Sequence, residues 1–572
     1  MTKTLRYLKP YRGTVAAGLV LKFIGAVAEL FLPLLLEYII NDVAINTELS
    51  SETRIRLIIY LGLIMLGCSL VALLGNIFAN RLTVKSSGNM THDLRYDLFS
   101  KTSYLNSKQV DEFGVPSLIS RLTSDSYYVN QMVARTLRLG VRAPILILGG
   151  IILAFWRDAV LACVLLACVP LVGLTIFFIT RKSVPVYFKV QHKQDDMVRD
   201  MQENVTGVRV IKALNKSEYE TEKFDDLVKE LAAEEFRANK IMSISNPLAT
   251  LILNLGLVAV IVVGAVRGNM PGTVLAFLQY FVIILNAMIA LSKIFVVISR
   301  GSASAARIEK VLDTDVSELI EDKPLGDEKY KIQFNNVSFS YNGVKENLKN
   351  INFAIKPGQM LGIIGATGSG KSTIINLMMR FYDVGGGAIF IDGKDVKSYS
   401  SKELRRKFGV AFQNDFLMAA SIRENIDYGR GLTDEEINAA IDAAQAREFV
   451  DSVGGLNYSL AQKANNISGG QKQRLLVARA LAGSPEIVVL DDSSSALDYG
   501  TDAALRKALS KIQGATFVIV AQRISSIKNA DHILVLDDGE IIGQGTHDEL
   551  KVSCAEYAMI YSTQMGDEDG KI

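Results

Sequence analysis

The 572-residue sequence predicts two domains of different class, an all-α membrane domain of six transmembrane helices fused to an α/β P-loop domain. Two observations predict this division. Long apolar runs recur before residue 300, and the second half contains Gly365–Ser372, which reads G-A-T-G-S-G-K-S. The chain is also too long for a single hydrophobic core. We therefore expect a membrane domain at 1–310, a linker at 311–329 and a second domain at 330–572.

Six apolar runs are long enough to cross a bilayer, since about 20 residues of helix span its hydrocarbon core. One such run could be a buried helix of a soluble protein, but six of this hydrophobicity favour transmembrane helices. The runs cover residues 14–40, 57–80, 139–156, 159–180, 247–266 and 273–298.

The charges of the connections predict the orientation of these helices. Residues 1–12 are basic, and the connections at 81–138 and 181–246 are long and charged, whereas those at 156–158 and 267–272 are short. Because positive residues favour the cytoplasmic side, we expect a multi-pass protein of the cell membrane with both termini and the second domain in the cytoplasm.

Polar residues interrupt the apolar runs, and such residues are costly in a bilayer unless they face a cavity or a partner. Two interpretations stay open: they line a substrate cavity, or they pair with neighbouring helices and extend to the membrane surface. The residues are Lys22, Glu29, Asn76, Asn254, Gln279, Asn286 and Lys293.

The overall charge and the cysteines exclude other classes of function. A formal net charge of +2 gives no reason to expect nucleic-acid binding. The four cysteines show neither metal-ligand nor disulfide spacing, and three of them lie in apolar runs.

The sequence Gly365–Ser372 follows an apolar, strand-like run, Met360–Ile364, and precedes a helix-like run, Thr373–Phe381. Its glycines let backbone N–H groups surround nucleotide phosphates, and the helix N-terminus adds positive potential. Lys371 is expected to neutralise phosphate charge, and the Ser372 hydroxyl to bind Mg²⁺. We therefore predict an ATP site with Mg²⁺ that includes Gly365, Thr367, Gly368, Ser369, Gly370, Lys371, Ser372 and Thr373.

Further candidates for this site are distributed along the second domain. Tyr341 could stack on adenine, and the apolar strand Ile487–Asp491 presents the Asp491 carboxylate for Mg²⁺. Gln413 follows another strand and could reach Mg²⁺ or the attacking water. A Ser-Gly-Gly turn at the start of a helix is a second anion site; it comprises Ser468, Gly469, Gly470 and Gln471. Asp498 follows in the sequence Ser495-Ala-Leu-Asp498.

In this order, the motifs resemble those of an ATP-binding cassette (ABC) protein: phosphate loop, Q-loop glutamine, signature, metal-binding aspartate and D-loop. With the six spans, the chain resembles a half-transporter of the exporter class with a type IV fold. The resemblance implies that two nucleotide-binding domains close head to tail on two ATP molecules. Each ATP would lie between the phosphate loop of one chain and the signature of the other.

The sequence departs from this family at three places. The residue after the metal-binding aspartate is usually the glutamate that acts as general base, and here it is Asp492. The switch histidine is replaced by Gln522, and the Gly-Glu-x-Gly segment before the signature reads Ala461-Gln-Lys-Ala464. Asp492 and Gln522 are thus the candidate catalytic positions, and both serve the ATP held by this chain's own phosphate loop.

These departures resemble the degenerate-site subunit of bacterial heterodimeric multidrug exporters. The resemblance implies slow hydrolysis at this chain's own site and a homologous partner with the catalytic glutamate and the switch histidine. Two alternatives remain, a homodimer with two slow Asp-based sites and a membrane-embedded ATP sensor that does not transport. The expected substrates are amphiphilic drugs or lipids.

Overall fold

The computed structural model describes residues 2–316, 320–321, 323, 325–413, 415–493 and 495–565. Within these bounds the chain forms two compact units. The first comprises Met1–Tyr104 and Phe113–Thr314, and the second comprises Leu105–Glu112 and Asp315–Ile572.

In the described part of the first unit, six helices are long and apolar enough to cross a membrane, which confirms the predicted all-α membrane domain. Each contains one of the apolar runs, and several continue well beyond it. We call them spans 1 to 6, in chain order: Lys3–Ala44, Ser51–Ser103, Val115–Arg157, Ala159–Thr206, Ser217–Val266 and Pro271–Leu312. Short helices at Ser107–Phe113 and Val208–Ala213 lie in the two long connections.

The two short turns of this unit meet at Asp158. Its carboxylate caps span 4 by accepting hydrogen bonds from the backbone N–H groups of Val160 (2.9 Å) and Leu161 (3.1 Å). Arg267 and Asn269, in the other short turn, donate to the same carboxylate at 2.8 and 2.9 Å. A helix cap and an ion pair therefore hold both turns at one end of the bundle.

Two of the polar residues within the spans, Glu29 and Lys22, have partners on neighbouring helices. Glu29 accepts a hydrogen bond from Arg142 over 2.5 Å, linking spans 1 and 3. Lys22 is 4% exposed and donates to Asn80 of span 2 over 2.9 Å, so its amine stays inside the bundle. The side chain of Lys293 lies outside the described part of the chain.

The described residues of the second unit form ten strands in two sheets. A four-stranded antiparallel sheet has the order β2-β1-β4-β5, and a six-stranded sheet has the order β10-β9-β3-β8-β7-β6, in which only the β9–β10 pair is antiparallel. The strands are β1 Ile332–Phe339, β2 Leu348–Ile355, β3 Met360–Gly365, β4 Gly386–Ile391, β5 Lys394–Asp395, β6 Phe408–Ala411, β7 Ile487–Asp491, β8 Thr516–Val520, β9 His532–Asp537 and β10 Glu540–Gly545.

This architecture confirms the predicted α/β fold. The antiparallel sheet includes β1 and β2, which precede the phosphate loop, and β4 and β5, which follow it. The helices of this unit are Lys371–Met378, Ser401–Arg406, Ile422–Asp427, Asp434–Ala443, Arg447–Ser452, Gly469–Leu481, Tyr499–Leu509, His547–Ser553 and Ala555–Met565. Strands β3, β7 and β8 lie side by side in the sheet, so their carboxyl ends meet at one edge.

Candidate functional site

The phosphate loop connects the end of β3 with the helix Lys371–Met378. Two of its glycines are required by the backbone, since Gly368 and Gly370 have φ angles of +85° and +102°. Gly365 is required by space, because a Cβ atom there would lie 2.1 Å from the carbonyl oxygen of Leu536. The sequence motif thus has the backbone that a phosphate cradle needs.

Lys371 folds back over this loop. Its Nζ atom donates hydrogen bonds to the carbonyl oxygens of Gly365 (2.8 Å) and Ala366 (2.7 Å). Burial lowers the pKa of the amine, while the carboxylates of Asp491 and Asp492 act in the opposite direction. The buried hydroxyl of Ser369 has no hydrogen-bond partner among the described residues. The loop therefore offers a cation and an unused donor, as an incoming phosphate requires.

Ser372 and Asp491 form the pair of oxygen ligands that the sequence assigns to Mg²⁺. The Ser372 hydroxyl donates to Asp491 Oδ2 over 2.9 Å. Asp491 ends strand β7 and is 4% exposed. Burial raises its pKa, which the hydrogen bond from Ser372 partly offsets. An alcohol and a carboxylate at hydrogen-bond distance fit the oxygen coordination of a hard divalent cation.

Asp492 lies next to this pair and is held by two amide side chains. Gln413 and Gln522 both donate to its Oδ2 atom, at 3.2 and 3.1 Å. The backbone of Asp492 is left-handed, with a φ angle of +50°, a strained conformation that is often found at functional sites. Burial raises the pKa of this carboxyl group, and the Gln413 hydrogen bond and the charges of Lys371 and Arg523 oppose the rise.

These residues surround one cleft of about 260 Å³. The cleft brings together most of the phosphate loop with both aspartates and both glutamines. Asn347, Val520 and Ala521 also line it, and the sequence motifs did not identify them. The candidate residues that line it are Thr367, Gly368, Gly370, Lys371, Ser372, Thr373, Gln413, Asp491, Asp492 and Gln522.

Tyr341 contacts the helix that follows the phosphate loop and is not among the residues that line the cleft. Asn376 donates to its hydroxyl over 3.2 Å, and its ring packs edge-on against Phe339 and Tyr382. The hydroxyl of Tyr382 donates in turn to Asp111, from the short segment Leu105–Glu112, over 2.5 Å. Tyr341 is 43% exposed, so its ring remains accessible to a base.

The signature residues and Asp498 also lie outside the set that lines the cleft. Ser468 caps the helix Gly469–Leu481 by a reciprocal pair of hydrogen bonds with Gln471, at 3.3 and 2.8 Å. A Cβ atom at Gly470 would lie 3.2 Å from the carbonyl oxygen of Ala496, so the signature contacts the loop that follows Asp492.

Asp498 caps the next helix, Tyr499–Leu509. Its carboxylate accepts hydrogen bonds from the backbone N–H and the hydroxyl of Thr501, at 2.9 and 2.8 Å. The hydrogen bond from the backbone N–H of Thr501 lowers the pKa of Asp498. Within this chain, Asp498 thus has a helix-capping role.

Two family models match the sequence. The model of the ABC transporter transmembrane region matches residues 15–288, and the ABC transporter model matches residues 348–495. The first match covers most of the six spans, and the second covers the phosphate loop, the signature and Asp491.

Relatives align over almost the whole chain. An uncharacterized ABC transporter ATP-binding protein of Mycobacterium tuberculosis is 34% identical and aligns over 98% of this chain and 97% of its own length. An uncharacterized ABC transporter ATP-binding protein of Bacillus subtilis is also 34% identical, and the alignment covers 99% of each of the two chains. An ATP-dependent lipid A-core flippase of Vibrio cholerae is 29% identical, over 98% of this chain and 97% of its own.

The fold itself has a close match among solved structures. A bacterial Atm1-family ABC exporter with ATP bound superposes with a TM-score of 0.84. The superposition covers 97% of this chain and 99% of the other, at 22% sequence identity.

Proposed function

The chain belongs to the ABC transporter family, whose members couple ATP hydrolysis to transmembrane transport, and we propose that it is the degenerate-site subunit of a heterodimeric exporter. The observation that carries the proposal is the pair Asp492 and Gln522. These two residues occupy the positions of the family's general base and switch histidine, and they contact each other in the cleft.

A general base must reach the attacking water in the right geometry, and a misplacement of about 1 Å can cost on the order of a hundredfold in rate. The side chain of Asp492 is one methylene shorter than that of glutamate. One of its oxygens is engaged by the amides of Gln413 and Gln522. An amide cannot accept and release protons near neutral pH as an imidazole can. Both changes favour slow hydrolysis at this site.

The cleft contains the side chains that the binding of ATP and Mg²⁺ requires. Bound Mg²⁺ would polarise the terminal phosphate of ATP and neutralise its charge. Ser372 and Asp491 would hold the cation, with Gln413 beside them, and Lys371 would turn from the carbonyl oxygens of its own loop towards phosphate. We infer that this chain retains ATP while a partner completes the cycle.

The signature supports a role in the partner's site. Ser468, Gly469, Gly470 and Gln471 have the sequence and the capped helix start expected of an anion site, and they are not among the residues that line this chain's own cleft. We propose that they complete an ATP site on a homologous subunit that carries the catalytic glutamate and the switch histidine. Closure on ATP would then rearrange the spans, and hydrolysis on the partner would reset them.

We propose that the substrate is amphiphilic, a drug or a lipid. The apolar membrane domain and the name of one relative support this substrate class. One relative, the protein of Vibrio cholerae, is named for flipping a lipid. The basic residues of the N-terminus and of the long connections support a cytoplasmic location for both termini and the nucleotide-binding domain, in a chain embedded in the cell membrane.

The proposal is tested by measuring the ATPase activity of the purified full-length chain in lipid vesicles. The activity is measured for the chain alone and for the chain co-purified with its candidate homologous partner. We expect negligible phosphate release by the chain alone and strong release by the pair. Strong release by the chain alone would favour the homodimer with Asp492 as a working base. ATP binding without any ATP-driven movement of a fluorescent amphiphile, even with the partner, would favour the ATP sensor.

A further inference from the structure

A cavity of about 490 Å³ lies between spans 1, 2, 3 and 6 of the membrane domain. Polar and cationic side chains dominate its lining. They are Lys22 of span 1, Asn76 and Asn80 of span 2, and Arg135, Arg138 and Arg142 of span 3, with apolar contributions from Leu139 and Ile294.

The positive charge of this cavity is incompletely compensated. Glu29 pairs with Arg142, but the Nε atom of that arginine is buried and has no partner among the described residues. Lys22 is 4% exposed, and its hydrogen-bond partner, Asn80, is neutral. The side chains of Arg135 and Arg138 make no hydrogen bond or ion pair with the described part of the chain. Four cations therefore face one carboxylate in a medium where uncompensated charge is costly.

The depth of these residues matches the boundary between acyl chains and headgroups. Arg135 lies 22 residues before the end of span 3 at Arg157, or about 33 Å of helix, and Arg142 lies 15 residues before it, or about 22 Å. Because the hydrocarbon core is about 30 Å thick, the cavity extends from the membrane surface opposite the short turns to several ångströms inside.

The helix around Arg138 is also irregular. Residues Thr136–Gly140 form a π-helical segment, a local widening that is frequent at functional sites. Arg138 lies within this segment, and Arg135 and Arg142 lie in the α-helices on either side of it.

We propose that this cavity binds the anionic headgroup of an amphiphile, with a phosphate held by Arg138, Arg135 and Lys22 and the acyl chains lying along the spans. This proposal narrows the expected substrates to anionic amphiphiles. It rests on the proposed function in one respect, that the molecule bound in the cavity is the molecule transported. Arginine binds phosphate oxygens through several parallel hydrogen bonds, which suits it to this task.

Native mass spectrometry of the full-length chain, without nucleotide, tests the site with two probes, dioleoyl phosphatidic acid and dioleoyl phosphatidylcholine. We expect wild-type protein to retain phosphatidic acid preferentially, and Arg138→Gln to reduce that retention about tenfold, the value of a lost charge-assisted hydrogen bond. Arg135→Gln should act in the same direction, and Arg138→Lys should keep most of the preference.

Arg81→Gln is the matched control, since Arg81 follows Asn80 on span 2 but is exposed and does not line the cavity. Equal retention of both lipids by wild type, or an unchanged preference in Arg138→Gln, would overturn the site. Retention of inorganic phosphate with the same affinity as phosphatidic acid would overturn the amphiphile and identify a free anion as the ligand. Because the assay contains no nucleotide, its outcome is independent of the ATPase experiment that tests the proposed function.

Discussion

Gln522 donates a hydrogen bond from Nε2 to Asp492 Oδ2 over 3.1 Å, and Gln413 donates to the same oxygen over 3.2 Å. The two candidate catalytic residues are therefore in direct contact. The Asp492 carboxylate and the Gln522 amide fit each other by a hydrogen bond. Changing only one of them, Asp492 to glutamate or Gln522 to histidine, would therefore leave the other without a suitable partner.

The double variant Asp492→Glu/Gln522→His should restore hydrolysis at this chain's own site. In the assembled pair, with the partner's own catalytic glutamate changed to glutamine, we expect phosphate release to rise about a hundredfold, because the longer carboxylate reaches the water and the imidazole replaces the amide. Each single variant should increase phosphate release by much less than an additive share of this rise, because the effects of substitutions at contacting residues are not additive. Steady-state phosphate release measures all three. Asp492→Asn is the control that should remove the remaining activity, and high wild-type activity unchanged in the double variant would contradict a degenerate site.

A negative charge introduced into the signature should distinguish the role of the signature from that of this chain's own phosphate loop. Gly469→Asp places a carboxylate where a phosphate is expected, and space is available because, among the described residues, an added Cβ atom has only the Cβ of Ala496 within 4 Å, at 3.8 Å. We expect unchanged ATP affinity of this chain, measured with a fluorescent ATP analogue, and a loss of most ATPase activity in the assembled pair.

Gly469→Ala, which adds only the Cβ atom, is the control and should retain most of that activity. Reduced ATP affinity of the isolated chain in Gly469→Asp would contradict the assignment of the signature to the partner's site.

The convergence of the candidate site residues on one cleft could be predicted from sequence, because several of them lie at strand ends with fixed neighbours. A run of apolar residues that ends in Asp491 and a glycine-rich loop after β3 must converge, since β3 and β7 both flank β8. Asn347 was missed because no local pattern marks it; it lines the cleft only after β2 pairs with β1.

The membrane domain was less predictable in detail. The length of the apolar runs predicts that six spans exist, but the pairing of Glu29 with Arg142 depends on how spans 1 and 3 pack. The basic cavity has the same origin: Arg135 and Arg138 fall in a charged connection of the sequence, and only the packing of four helices brings them beside Lys22.

Tyr341→Ala should weaken ATP binding about tenfold, because stacking of a base on an aromatic ring contributes roughly 1–3 kcal/mol. Tyr341→Phe is the matched control. It keeps the ring and its edge-on contacts with Phe339 and Tyr382 and loses only the hydroxyl, with the hydrogen bond from Asn376 and the long one that it donates to Thr373 (3.5 Å). Titration with a fluorescent ATP analogue measures both. Equal weakening by the two variants would assign Tyr341 a structural role through its hydroxyl instead.

An ion-pair network joins the two sheets of the nucleotide-binding domain and should make its stability depend on pH. Lys331, beside β1, bonds to Glu486 and, over 2.7 Å, to Asp392; Lys407 bonds to Asp392 over 2.8 Å and to Glu486 over 3.2 Å. The Lys331 hydrogen bond lowers the pKa of Glu486. Burial alone would raise the pKa of Asp392, but its bonds to the two lysines lower it.

Since folding depresses both pKa values, the network's contribution is complete above the carboxylates' ordinary pKa of about 4 and is lost as the pH falls through the folded values. Glu486→Gln should therefore lower stability at pH 7 by at most about 1 kcal/mol, because Glu486 is half exposed, and the difference should vanish in acid. Thermal exposure of the buried thiol of Cys554 reports unfolding of this domain, in a background with Cys68, Cys163 and Cys168 changed to alanine. Dithiodipyridine reacts with thiols in acid and suits the whole pH range. A difference that persists unchanged in acid would show that Glu486 acts through packing and not through its charge.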